Sequence, residues 1–352
     1  MSYEIIKSDI HEDGDTIIGL WNKNNEKKID QKFDWMYLSN PDGLASTWLV
    51  KQQETSDIVG MASVFPRNFR FNDRVYKAGI QGDFFIQKDH RSFGPALMLI
   101  RAIVKSLENS DIDFLYAFPN RQAKPIFRRA GYNYLGATKK HIRLLNINRL
   151  LADKTNLPNS LLNIVGPISN QLIKLIYPDT WVFNFGRFET RITNTIDFDI
   201  EYLLSKYHES CFTTEKTDYY LKWKYENDPD DNNLFFYIKD NALRVLGCIV
   251  FCIEPNNIIQ IREILHTHNQ STLAALLALF FKHIKKWDVE YAYAQIYENS
   301  GFLAPSNHLD LTLSDQGRKI VYTLNPNRQM SSQISKLLHS NAFCLFSSDE
   351  DS

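Results

Sequence analysis

The chain has 352 residues, enough for two domains that each bury a core of their own. Apolar residues make up 44% and charged residues 23%, a globular composition that excludes a disordered or fibrous protein. With 40 basic residues against 41 acidic ones, no overall field favours nucleic acid, and none is expected as a partner.

The opening Met-Ser-Tyr-Glu-Ile-Ile-Lys carries an acid where a secretory signal needs its apolar core. The longest apolar runs, 245–253 and 273–281, are too short for a transmembrane segment. A cytoplasmic location is expected, with Cys211, Cys248, Cys252 and Cys344 as reduced thiols. His266 and His268 are joined to no Cys-x-x-Cys pair, so no metal is expected.

In chain order, residues 13–24 read as a short helix with an acidic start and an apolar stripe of Ile17, Ile18 and Trp21. Residues 33–37 give a helical turn that stops at Asn40-Pro41-Asp42-Gly43. Runs 47–51, 57–65, 68–71 and 75–78 read as an antiparallel meander, the last two joined by Asn72-Asp73-Arg74. The aromatic run 82–87 is a central strand. It leads through Lys88-Asp89-His90 into a helix from Pro95 that is expected to bury Leu97, Ile100, Val104 and Leu107. A second strand over 113–118 ends in Pro119-Asn120, a short helix over 124–130 meets Gly131 as its C-cap, and 141–145 is a closing strand. The fold class is α/β, an α+β mixed sheet whose two parallel strands leave a cleft at their C-terminal ends.

Arg91-x-x-Gly94-x-Ala96 lies between the central strand and its helix. Helix N-termini present unpaired N–H groups and partial positive charge, which suits a diphosphate. Gly94 permits close approach of a ligand, small Ala96 avoids a clash, and Arg91 can add a charge-assisted contact. Taken alone, the pattern also fits an ordinary strand-to-helix turn.

Together with the strand and helix C-terminal to it, the loop resembles the acyl-CoA pyrophosphate loop, Gln/Arg-x-x-Gly-x-Gly/Ala, of the GNAT superfamily of N-acyltransferases. Phe114-Leu115-Tyr116-Ala117-Phe118-Pro119-Asn120, then Phe127 and Gly131-Tyr132, are similar to that family's next strand and its Asn to Gly-Phe/Tyr helix segment, and the resemblance runs in order from Asp13 to about Leu145.

The resemblance implies an enzyme whose acceptor amine attacks the thioester of an acyl-CoA directly, with acetyl-CoA or another acyl-CoA as donor. The acceptor would be a small-molecule primary amine, of which a nucleotide-linked amino-sugar is one class. It also implies that backbone groups of Phe85, Ile86 and Gln87 meet the pantetheine. The amides of Ser92, Phe93, Gly94, Ala96 and Leu97 would hold the diphosphate beside Arg91, with Pro95 lacking an N–H. Asn120 would stand near the thiol, or serve only as a turn residue after Pro119. Asp83 is expected as the base, or else as an acid paired with an arginine, and His90 is the other candidate base. Phe127, counted with the cofactor-binding residues, occupies the family's usual acid position and cannot donate; Tyr116 is expected to take over, with Tyr132 and Tyr134 as alternatives, or the thiolate leaves unassisted.

The second half reads as a worn copy of the first. Trp35-x-Tyr37-x-x-Asn40-Pro41 recurs as Trp223-x-Tyr225-x-x-Asp228-Pro229, and Glu263 falls where Asp83 stands. The loop from His266 to Thr272 has no glycine, so this half is expected to bind no CoA. The expected organisation is two tandem GNAT-like domains. An N-terminal domain with the acyl-CoA loop spans 1–150, a helical linker 151–180, a degenerate copy 181–328, and a tail with a helix at 332–339 and a frayed acidic end 329–352. A homodimer is the assembly this reading allows. Two other functions compete: a Fem-like transferase using aminoacyl-tRNA, against which the charge balance and the intact loop count, and a non-catalytic acyl-CoA sensor or scaffold, motivated by Phe127 and Pro95.

Overall fold

In the computed structural model the described residues are 2–24, 30–146, 188–197, 199–229, 232–267, 269–287, 289–301, 311–313 and 317–350. The expected linker helix over 157–177 lies outside them.

The first half opens with strand β1 (Tyr3–Lys7), which sequence reading passed over, and helix α1 (Gly14–Asn24), which buries Ile17 and Leu20. Helix α2 (Asp30–Phe33) runs into a π-helical turn, Asp34–Leu38, that buries Met36 and Tyr37. Strands β2 (Ser46–Gln52), β3 (Ile58–Phe71) and β4 (Arg74–Ile86) are antiparallel neighbours. The expected meander is corrected here, because 57–65 and 68–71 form one strand through Pro66, and 75–78 and 82–87 form one strand through Gly79. Proline is tolerated because β2 pairs no further than Val64 and the next neighbour on that edge, Thr213–Thr214, begins at Arg70 and Phe69. In the gap the Asn40 side chain donates to the Pro66 carbonyl (3.1 Å) and the Asn68 N–H donates to Asp42 (3.1 Å), so no ladder bond is lost.

Helix α3 (Phe93–Ser106) connects β4 to the parallel strand β5 (Phe114–Ala117). It buries Ala96, Leu99, Ile100 and Ile103, with Leu107 just beyond, while Leu97 and Val104 are half-buried at the margin. Ile100 and Leu107 of the expected face are thus buried, while Leu97 and Val104 give way to Ala96, Leu99 and Ile103. Helix α4 (Lys124–Arg129) stops at Gly131, whose φ of +102° favours glycine, and β6 (Asn133–Leu144) follows.

The second half contains β7 (Glu189–Thr193), α5 (Ile200–His208), β8 (Thr213–Thr214) and α6 (Asp218–Leu221), which leads into another π-helical turn, Lys222–Glu226. Strands β9 (Leu234–Lys239), β10 (Val245–Glu254) and β11 (Ile258–His266), helix α7 (Gln270–Ile284), and strands β12 (Tyr291–Tyr297), β13 (Leu311–Leu313) and β14 (Lys319–Leu324) precede helix α8 (Ser331–Leu338). The pairing of β2, β3, β4 and β5 recurs in β9, β10, β11 and β12: antiparallel, antiparallel, then parallel.

The closing strands are exchanged between the halves. β6 pairs with β12, β14 pairs with β5, and the two pair with each other, which makes one fourteen-stranded sheet. Trp35 and Trp223 also join the halves. Their rings stack 5.0 Å apart, and each indole N–H donates to the other's carbonyl, at 2.7 and 2.9 Å.

The acidic end, expected to fray, is packed instead. Phe343, Leu345, Phe346, Ser348 and Asp349 are buried, and the segment bonds to both Phe212 and Tyr297. Its apolar residues fill the space between the halves, while Asp349 and Glu350 pair with Lys216 and Arg318. All four cysteines are buried, and none is in a disulfide. No helix among the described residues is long and apolar enough to cross a membrane.

Candidate active site

A cleft opens where β4 and β5 part. Their parallel pairing ends at Gln81 and Ala117, and just beyond it the register of β4 against β3 shifts between Met61 and Ser63. Asp83 lies in this bulge with φ at +46°, a left-handed conformation that aspartate tolerates better than most residues. The bulge bends the end of β4 away from β5, leaving the edge of Phe84, Phe85 and Ile86 unpaired on the β5 side.

The cleft has a volume of about 500 Å³. Phe84, Phe85 and Ile86 form one wall, Arg91, Ser92, Phe93 and Ala96 form the α3 end, and Asn120, Gln122, Ala123, Pro125 and Ile126 form the other wall. The Arg91 Nε donates to the Ile86 carbonyl (3.0 Å), which ties the loop to the end of the strand. Asn120 caps the following turn by accepting from the N–H groups of Gln122 (3.0 Å) and Ala123 (2.9 Å). Seven of the residues picked from sequence therefore line one cleft: Phe85, Ile86, Arg91, Ser92, Phe93, Ala96 and Asn120.

The others fall at varying distance from it. The Gln87 N–H donates to Val59 (2.8 Å) and its side chain to Ile58 (3.2 Å), so it is turned toward β3. A Cβ placed on Gly94 would meet nothing within 4 Å, and Leu97 packs at the margin of the α3 core. Tyr116 is buried among Phe69, Phe114 and Phe118, away from the cleft walls. Of the alternative acids, Tyr132 is buried and Tyr134 is exposed. His90 lies against the Tyr3 hydroxyl (3.1 Å).

Behind the cleft is a cavity of about 140 Å³ that shares Phe84, Asn120 and Ala123 with it. Asp83 and Phe127 are both in its wall, with Gln81, Ala117, Phe118 and Glu350. Phe127 packs edge-on against Phe84 (5.9 Å) and Tyr132 (5.0 Å) and closes the α4 side. The buried Tyr37 hydroxyl donates to Asp83, and Ser63 donates to Tyr37 (3.3 Å) while bonding to Thr47 (2.9 Å). Burial first, and the Asp83 charge second, push the Tyr37 pKa well above the usual phenol value, so this hydroxyl keeps its proton and steadies the carboxylate.

Sequence reasoning missed Tyr37, Gln81 and Glu350 as site residues. Tyr37 could have been found, because the repeat pairs it with Tyr225 just as it pairs Asp83 with Glu263. Nothing in the local pattern marks Glu350, which reaches the cavity only because the end of the chain packs between the halves.

In the second half, the equivalent pair is sealed. Tyr225 donates to Glu263 (3.0 Å), but Lys216 lies 2.6 Å from Glu263 and 3.1 Å from Asp349, all of them buried. Thr214 donates to Asp349 (2.9 Å), and Ser348 donates to the Arg262 carbonyl (2.6 Å). Burial works against the charge on Lys216, yet the Asp349 and Glu263 carboxylates outweigh it and hold this ammonium well above the usual lysine range. Burial pushes the Glu263 carboxyl up to about 7, with Lys216 keeping it from rising further.

No protein-family model matches the sequence. No curated protein matches it either. Solved structures do resemble it. A probable N-acyltransferase from Enterococcus faecalis superposes with a TM-score of 0.64 at 12% identity, over 94% of this chain and 74% of that one. A GCN5-related N-acetyltransferase from Anabaena variabilis gives 0.63 at 10% identity, over 92% and 73%. N-myristoyltransferase from Saccharomyces cerevisiae with bound myristoyl-CoA gives 0.54 at 14% identity, over 92% and 83%. The chain has the fold of the GNAT-type N-acyltransferases.

Proposed function

We propose that the protein is a cytosolic N-acyltransferase that moves a short acyl group, acetyl first among them, from CoA to a primary amine of a small molecule. The observation that carries this reading is the junction at Phe84, Asn120 and Ala123, where a long cleft fit for a thioester donor meets a cavity walled by a carboxylate. The pantetheine would bond to the free edge of β4, and the diphosphate would take the N–H groups at the start of α3. In the cavity, Asp83 receives the proton of the attacking amine, directly or through water. The thiolate is a good leaving group, so the reaction proceeds without Phe127 supplying a proton.

A panel of amines assayed with acetyl-CoA tests this function, with nucleotide-linked amino-sugars as the first class. Acetyl transfer to any of them that Asp83→Asn abolishes supports it. Tight CoA binding with no transfer to any amine would favour the sensor reading instead.

A further inference from the structure

Gln81 is a buried amide, 5% exposed, at the last position where β4 still pairs with β5. Its side chain lies in the wall of the inner cavity beside Asp83 and Ala117. The Tyr132 hydroxyl, itself buried, donates to its Oε1, which fixes the amide plane. The Nε2 has no hydrogen-bond partner among the described residues. Leaving a buried donor unpaired is costly, and such a group in a folded protein calls for an explanation, a bound ligand among them. Asp83 and Glu350 line the same cavity and are acceptors when ionised, so an acceptor oxygen of a ligand fits best against the Gln81 amide.

We propose that the Gln81 amide N–H donates to the acyl carbonyl oxygen of the thioester and stabilises the oxyanion formed during transfer. The inference rests on the proposed function and assigns a role within the same site. As the amine nitrogen bonds to the carbonyl carbon, the C=O electron pair moves onto the oxygen that Gln81 holds. When the carbonyl reforms, the C–S bond breaks and CoA leaves as the thiolate. The amine proton goes to Asp83, and the thiolate is protonated on release, giving an amide and free CoA thiol. Tyr132 acts as a positioning residue, because its bond to Oε1 holds the plane of the amide.

The test compares binding of two inert donors by calorimetry: S-acetonyl-CoA, which keeps a carbonyl oxygen, and S-propyl-CoA, which lacks one. Wild-type protein is expected to prefer the ketone about tenfold, the worth of one well-placed hydrogen bond. Gln81→Met should bind S-propyl-CoA unchanged and lose that preference. Tyr132→Phe, which retains the Gln81 amide but frees it to rotate, should lose part of it. With an active amine in hand, Gln81→Met should lower kcat about 100-fold or more, beyond the roughly tenfold rise in KM for acetyl-CoA that loss of the ground-state bond brings. A full ketone preference in a Gln81→Met protein that melts like wild type would overturn the assignment. An equal loss of both analogues would also overturn it, by reducing Gln81 to a wall residue. Failure of wild-type protein to bind either analogue or CoA would instead defeat the donor site, and the proposed function with it.

Discussion

The two halves build the same pair, a tyrosine from a π-helical turn bonded to a carboxylate on the central strand, and put it to opposite uses. Tyr37 is buried against Asp83, which lines a cavity beside an open cleft. Tyr225 and Glu263 are shut in with a buried lysine and the end of the chain. A carboxylate at this register is therefore not functional in itself. What makes Asp83 a candidate base is that the gap between β4 and β5 stays open beside the Arg91 loop. β11 parts from β12 beyond Ile261 in the same way, but the end of the chain fills that gap, and Glu263 has become part of the core.

The largest expected effects come from breaking each site in its own way. Asp83→Asn should lower kcat about 100- to 10,000-fold with little change in melting temperature, as steady-state kinetics and calorimetry would show. Lys216→Met should do the reverse, because it strands two carboxylates in the core. Urea unfolding should reveal a loss of about 3–5 kcal/mol, and adding Glu263→Gln and Asp349→Asn should recover much of it.

The tyrosines sharpen the contrast at smaller scale. Tyr37→Phe removes the hydroxyl that steadies Asp83 and should lower kcat about tenfold. Tyr225→Phe should leave kcat unchanged and cost about 1–3 kcal/mol of stability. The smallest effect is in pH. The folded state holds the Glu263 proton more tightly than the unfolded chain does, since its carboxyl rises from 4.5 to about 7. That contribution is complete below the lower value and is lost as pH rises through the upper one. Over this window wild-type stability should fall relative to Glu263→Gln, and denaturant titrations at several pH values would show whether it does.

Much of this arrangement was legible in the sequence, for local reasons. The strand, loop and helix around Arg91 are coded by adjacent residues, and so is the repeated Trp-x-Tyr segment. Seven of the residues chosen there line one cleft. Long-range placement was not legible. No pattern in residues 114–145 or 319–324 says that β6 and β14 trade places, because a strand's periodicity reports its buried face and not its neighbour. The Ser-rich acidic composition of the last residues suggested fraying, yet Phe343, Leu345 and Phe346 bury enough apolar surface to order them. Tyr116 looked available for proton transfer by its position after the central strand, but strand alternation turns it with Phe114 and Phe118 into the aromatic core.

The proposed function depends most on a donor site in the N-terminal half, and calorimetric titration of acetyl-CoA into wild-type protein and Gly94→Trp tests it directly. The first atom of an added side chain at Gly94 meets no protein atom within 4 Å, so the variant should fold and project its indole where the diphosphate would lie. Saturable binding is expected for wild-type protein, and none for a Gly94→Trp protein with unchanged melting. Equal binding to both would place the donor elsewhere, and no binding to wild-type protein would contradict the CoA-dependent reading altogether.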